Sequence, residues 1–157
     1  MQTMVLIALA VIVLYTGAMI YRSREIPASI SSTVFLLSGR GRWVFTAVMF
    51  LAVFLLMPPL MEKVADASRP VVFFMIAGIG FVGAAPLVAK EKNTVHYVSA
   101  AIAGIASQLL VALSQPLLLL TWFLYVGYTL IAKDASRNLF LAEVLCMLNV
   151  FAYCLFF

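Results

Sequence analysis

The chain is a succession of helix-length apolar runs divided by short polar connections. About twenty apolar residues are what an α-helix needs to cross a bilayer, and few other features constrain a fold so firmly. The runs are residues 3–21, 43–60, 70–89, 94–113, 116–132 and 138–157. Backbone polar groups in hydrocarbon must be satisfied within the segment, so each run is expected to be a helix. Hydrophobic residues make up 66% of the sequence and charged residues 10%, with mean hydropathy +1.15. A soluble domain of 157 residues needs far more polar surface than that. The expected fold is therefore all-α: one polytopic membrane helical bundle, residues 1–157, with six transmembrane helices.

Local signals set the boundaries. Pro58-Pro59 closes the second run, and Ser68 with Pro70 gives an N-cap and a first-turn proline for the third. Ser136 is placed to cap the sixth. Ser114-Gln115-Pro116 reads either as a tight turn between the fourth and fifth spans or as a kink in one long helix. The longest connection, RSREIPASISSTVFLLSGRGR, has Ile26, Ile30, Val34 and Leu37 at helical spacing, with Pro27 to start a helix and Gly39 to end it. Residues 26–38 are too few to span and are expected to lie at the interface or to dip inward as a re-entrant piece. Met4–Tyr21 has no basic residue before it and no small-residue cleavage site after it, so it reads as a retained span.

The charges indicate orientation. Arg22, Arg24, Arg40, Arg42, Lys90, Lys92, Lys133 and Arg137 fall in alternate connections, eight in all, against Lys63 and Arg69 on the opposite side. This positive-inside bias places the long first connection in the cytoplasm and both termini outside it, with a bacterial inner membrane as the expected setting. The net charge of +4 is spread over short turns, which argues against nucleic acid as a partner.

The fourth run, NTVHYVSAAIAGIASQLLVALSQ, holds the single histidine. On a helical wheel Ala100, Ala103, Ser107 and Ser114 fall within about 40° of His96. Val98, Ile102, Ile105, Leu109 and Leu113 lie mostly off that stripe. A small-residue stripe lets a membrane helix approach its neighbours closely, so the other spans are expected to gather around this one. Gly78, Gly80, Gly83 and Ala84 in the third run, with Ala100 and Gly104 here, are the candidate packing positions, and Asn149 is a candidate for interhelical hydrogen bonding along with Gln108.

Glu143 is an acidic residue well inside an apolar run, roughly 8–10 Å from its start. His96 stands about one turn into the fourth run from the same side. The two residues suggest a cytoplasm-facing polar cavity for a ligand or a proton relay, with Ser29, Ser107 and Arg137 as further candidates. The plainer reading is a His96–Glu143 or Arg137–Glu143 pair that fixes helix register. The serines of residues 26–38 likewise read first as the polar face of an interfacial helix.

Other chemistries lack their residues. One histidine and two cysteines, Cys146 and Cys154, provide no metal-ligand spacing, so no metal or cofactor is expected. The cysteines stand about 12 Å apart along one helix, too far for a disulfide within it. No phosphate-binding glycine loop is present. Ser29, His96 and Glu143 could be assembled into a hydrolytic triad, but no motif surrounds them, and no catalytic residue is assigned. Hydrolases of the ceramidase type gather several histidines around a metal, and this chain has one.

GFVGAAP, followed ten residues on by HYVSAA, resembles the Frag/DRAM/Sfk-type group of small six-helix membrane proteins over Gly80–Ser107. The resemblance implies six membrane helices and brings no catalytic constellation with it. The expected function is non-enzymatic binding of a lipid or small molecule near His96 and Glu143, with transport as an extension. Membrane lipids are the expected partners, in a single bundle or a homo-oligomer. The alternative is a structural or interaction subunit, or an assembly factor docking a membrane partner protein. A lipid-modifying enzyme comes third.

Overall fold

A computed structural model describes residues 1–88, 94–132 and 135–157, which form helices and connections without a strand. The α-helices are α1 Gln2–Ser23, α2 Gly41–Lys63, α3 Arg69–Val88, α4 Thr94–Ser114, α5 Trp122–Ile131 and α6 Asn138–Phe156. Five stretches are long and apolar enough to cross a membrane: Gln2–Ser23, Gly41–Lys63, Asp66–Leu87, Thr94–Ser114 and Ala135–Phe156. The protein is thus a helical membrane bundle. Lys90, Lys92, Lys133 and the end of the expected third run lie outside the described residues.

The expected fifth span differs from the others. Pro116–Ile131 is shorter than they are, and it is split into a 3-10 helix, Pro116–Thr121, and α5. Gln115 breaks the preceding helix with φ −146° and ψ 74°. The chain then doubles back, because Trp122 Nε1 donates to Gln108 Oε1 at 2.9 Å. In one continuous helix those residues would stand about 21 Å apart along the axis. Ser114–Pro116 is therefore a turn between antiparallel segments and not a kink.

α2 runs through Pro58 and Pro59 to Lys63 instead of closing at Leu60. Two prolines near its end free only the carbonyls of Phe54 and Leu55, and the burial of Pro59 and Leu60 in the core holds the last turns in place.

Each helix packs on the next from α1 to α4, and α6 closes the circuit by touching both α4 and α1. α5 lies outside that circuit, against α6 and the Pro116–Thr121 turn, and none of its residues is buried. Gln2 Nε2 donates to the Leu155 carbonyl at 3.4 Å, and Tyr153 Oη to the Lys63 carbonyl at 3.4 Å. The first and last residues thus share one end of the bundle with the α2–α3 connection. The basic residues Arg22, Arg24, Arg40, Arg42 and Arg137 mark the opposite end.

At that second end the first connection turns inward. Arg24 adopts the left-handed conformation, φ 57°, and its N–H closes α1 on the Ile20 carbonyl at 2.8 Å. A 3-10 helix then forms at Ser31–Leu36, shorter than the Pro27–Gly39 signals suggested. Ser29 and Ser32 cap it reciprocally: Ser32 N–H donates to Ser29 Oγ at 2.9 Å, and Ser29 N–H to Ser32 Oγ at 3.2 Å. Ile30, Thr33, Val34 and Leu37 are buried, and Tyr15 Oη meets Thr33 Oγ1 at 2.8 Å. The segment is a strap set into the bundle.

Candidate functional site

α4 uses small residues on two faces. Toward α3 they allow very close approach: a Cβ at Gly78 would stand 2.8 Å from Ala103 N and 2.9 Å from Ser99 O. Gly83 has the same role between α3 and α2, where a Cβ would stand 2.8 Å from Met49 Cβ, and Thr46 Oγ1 donates to the Gly83 carbonyl at 2.7 Å. Toward α6 the small residues leave a space. Ala100, Ala101 and Gly104 face a cavity of about 920 Å³, and a Cβ at Gly104 would meet nothing within 4 Å.

The cavity walls are mostly apolar: Met49, Ala52 and Leu56 of α2, Met75, Ile79 and Val82 of α3, and Cys146, Met147 and Val150 of α6. Tyr97, Ile105 and Leu109 of α4 and Leu139 of α6 also line it, yet each is exposed on the outer surface of the bundle. The cavity therefore opens sideways between α4 and α6. In a membrane that opening faces lipid.

Polar groups stand at two places along it. Glu143 and Ser31 occupy the strap end. Glu143 Oε2 accepts the Ile30 N–H at 2.5 Å and the Ser31 N–H at 3.2 Å, while Oε1 accepts the Ser31 hydroxyl at 2.6 Å. The first backbone N–H groups of a helix have no partner within it, and a carboxylate from α6 satisfies those of the strap. Its partners are thus neither His96 nor Arg137. Among the described residues the ion pair present is Asp66–Arg69, at 2.9 Å.

The second polar place is an amide cluster where α4, α6 and the returning chain meet. Gln108 Oε1 accepts from Trp122 Nε1 and from Asn149 Nδ2, both at 2.9 Å. Gln108 Nε2 donates to Ser107 Oγ at 3.0 Å and to the Cys146 carbonyl at 3.4 Å, and Thr121 Oγ1 donates to Asn149 Oδ1 at 3.0 Å. Ser107 in turn donates to the Gly104 carbonyl at 2.7 Å.

The remaining candidates stand apart from the cavity. His96 is buried at 1% exposure, edge-on to Phe35 at 5.1 Å and to Tyr97 at 5.8 Å. It faces the strap beyond the cavity wall. Ser29 is buried in the strap cap, and Arg137 precedes α6; neither lines the cavity. A Cβ at Gly80 would meet nothing within 4 Å, and Ala84 is half-buried nearby on α3. Asn149 is buried in the amide cluster. Cys146 and Cys154 are free thiols, and no three His, Cys, Asp or Glu side chains gather among the described residues.

Ser31, Thr121 and Trp122 were not singled out from the sequence. A signal for Trp122 existed: a buried indole N–H needs an acceptor, and Gln108 and Trp122 are equidistant from Gln115, as a hairpin requires. Nothing in a run of serines distinguishes Ser31 from its neighbours. No protein-family model matches the chain, and neither a curated protein nor a solved structure matches it.

Proposed function

We propose that this is a six-crossing membrane protein that binds a membrane lipid or small apolar molecule in the cavity between α4 and α6. The observation that carries the reading is the cavity itself: about 920 Å³, apolar-walled, with a carboxylate at one end and a mouth among lipid-facing side chains. Ligand sites are commonly concave and apolar with a few placed polar groups, and this volume lies in their usual range. A sixth crossing is supported by length. Six 3-10 residues at ~2.0 Å and ten α-helical ones at ~1.5 Å give about 27 Å, close to the hydrocarbon thickness. In this reading the Glu143 end, with its arginines, faces the cytoplasm and both termini face away, so a reporter fused after Phe157 is active only outside the cytoplasm.

Native mass spectrometry in a mild detergent tests the binding, with the wild type beside Gly104→Leu. The substitution places a branched side chain into the cavity from a position where an added Cβ meets nothing within 4 Å. A defined adduct on the wild type that is lost in Gly104→Leu is expected. A wild type without adduct, or an adduct indifferent to the substitution, contradicts the reading.

One observation favours the second reading, an interaction subunit: α5 buries none of its residues within the chain. A homo-oligomer or partner protein seated there would give cross-links from cysteines placed on α5, and monodisperse monomers without such links would count against it.

A further inference from the structure

The hydrogen-bonding capacity left inside the cavity restricts the head group of its occupant. In the amide cluster little is spare. Gln108 Oε1 already accepts from Trp122 and Asn149, and Gln108 Nε2 already donates to Ser107 and to the Cys146 carbonyl. Asn149 Oδ1 receives the Thr121 hydroxyl. The Gln108 amide, which lines the cavity, has no open position left, so an apolar chain lies against it at least cost.

Glu143 differs. A carboxylate offers about four acceptor positions. The strap fills three of them, two on Oε2 and one on Oε1. The fourth is on Oε1, and Glu143 lines the cavity. A ligand hydroxyl or amine can donate to it. An anionic head would meet the Glu143 carboxylate at close range, with no Lys, Arg or His among the described cavity-lining residues to offset the repulsion.

Size limits the chain. With about 30 Å³ per water-sized unit, a cavity of about 920 Å³ holds roughly thirty non-hydrogen atoms. That is one lipid chain with a compact head and about half of a two-chain phospholipid. The mouth among Tyr97, Ile105, Leu109 and Leu139 opens to the bilayer, where such molecules reside.

Resting on the binding reading above, we propose that the ligand is a single-chain lipid with a neutral, hydroxyl-bearing head, of the monoacylglycerol class. The chain enters between α4 and α6 and lies toward Gln108 and Trp122, and the head hydroxyl donates to Glu143 Oε1. The charge of a free fatty acid and the volume of a two-chain phospholipid, about twice that of the cavity, fit this site less well.

Trp122 lines the cavity and reports on it. Trp43→Phe removes the other of the two tryptophans. The Trp43→Phe protein, stripped of lipid in detergent, is titrated with a monoacylglycerol brominated along its chain, with the fatty acid of the same chain, and with a brominated phosphatidylcholine. The expected result is saturable quenching by the monoacylglycerol at about tenfold lower concentration than by the fatty acid, the loss of one charge-assisted hydrogen bond. Phosphatidylcholine should give no saturable component. Adding Gly104→Leu, or Ala101→Leu at the mouth as a second block, should abolish the saturable quenching, and Glu143→Gln should bring the fatty acid within about threefold of the monoacylglycerol. Equal quenching by the fatty acid or by phosphatidylcholine, still abolished by the blocking substitutions, overturns the head-group assignment and leaves the cavity reading standing. Quenching that is unsaturable, or indifferent to both blocks, overturns the two together.

Discussion

Helix α4 meets α3 with small residues on one face and α6 with small residues on another, and the two contacts differ completely. Against α3, glycine stands opposite alanine and serine backbone, so the helices close to the limit of contact. Against α6, Ala100, Ala101 and Gly104 face Leu139, Glu143, Cys146 and Met147, and the space between them stays open until Gln108 reaches across to Asn149 and Cys146. Small residues let α4 close on α3, where small residues and backbone face them. Opposite the larger Leu139, Cys146 and Met147 the same helix leaves a cavity. The α2–α3–α4 side is the closed half of the bundle, and the α4–α6 side is the open half.

The sharpest way to break this comparison is to put one side chain into each contact. Gly78→Leu drives atoms into the Ala103 backbone, which cannot rotate away, and should cost about 3 kcal/mol or more, seen as a large fall in thermal midpoint or loss of folded protein. Gly104→Leu should leave the lipid-free protein within about 0.5 kcal/mol of wild type. Equal damage from the two would show that the halves do not differ.

Next in size is the strap. Glu143→Ala leaves the Ile30 and Ser31 N–H groups without their acceptor and should cost about 2 kcal/mol locally. Faster tryptic cleavage at Arg24, Arg40 or Arg42 would report it, with little change in the global midpoint. Gln108→Leu removes the bonds to Trp122 and Asn149 that close the open half at its far end. At about 0.6 kcal/mol per membrane hydrogen bond the cost is roughly 1–2 kcal/mol, accompanied by a shift in Trp122 emission. The smallest effect expected is Tyr15→Phe, which loses the Thr33 contact for about 0.5–1 kcal/mol on the side of the strap away from Glu143.

Much of this architecture was legible in the residues. Apolar run length marked the long helices, because hydrocarbon allows little else. The alternation of basic residues set the expected orientation across the membrane, and Gln2 and Leu155 meet at one end of the bundle. The cavity was harder to foresee. It depends on what faces Gly104 across α6, a relation between residues that no helical wheel of one segment contains. Sequence pointed to Glu143 and His96 as a pair because both stand near one end. The strap comes between them as a partner to each, Ser31 to Glu143 and Phe35 to His96, since the first N–H groups of its short helix need acceptors. Residues 116–132 read as a full-length span from apolarity alone, whereas Pro116–Thr121 winds as a 3-10 helix.

The most direct test of the open half as a binding site is the thermal midpoint of wild type and Gly104→Leu, each measured lipid-stripped and then after adding back lipid. A ligand that binds only the folded state raises stability by an amount set by its concentration relative to its dissociation constant, about 2.7 kcal/mol at a hundredfold excess. The wild type is expected to lose stability on stripping and regain it on addition, while Gly104→Leu holds the same midpoint in both states. Equal losses and recoveries in the two proteins would contradict the account, since the lipid would then act on the outer surface of the bundle and not in the cavity between α4 and α6.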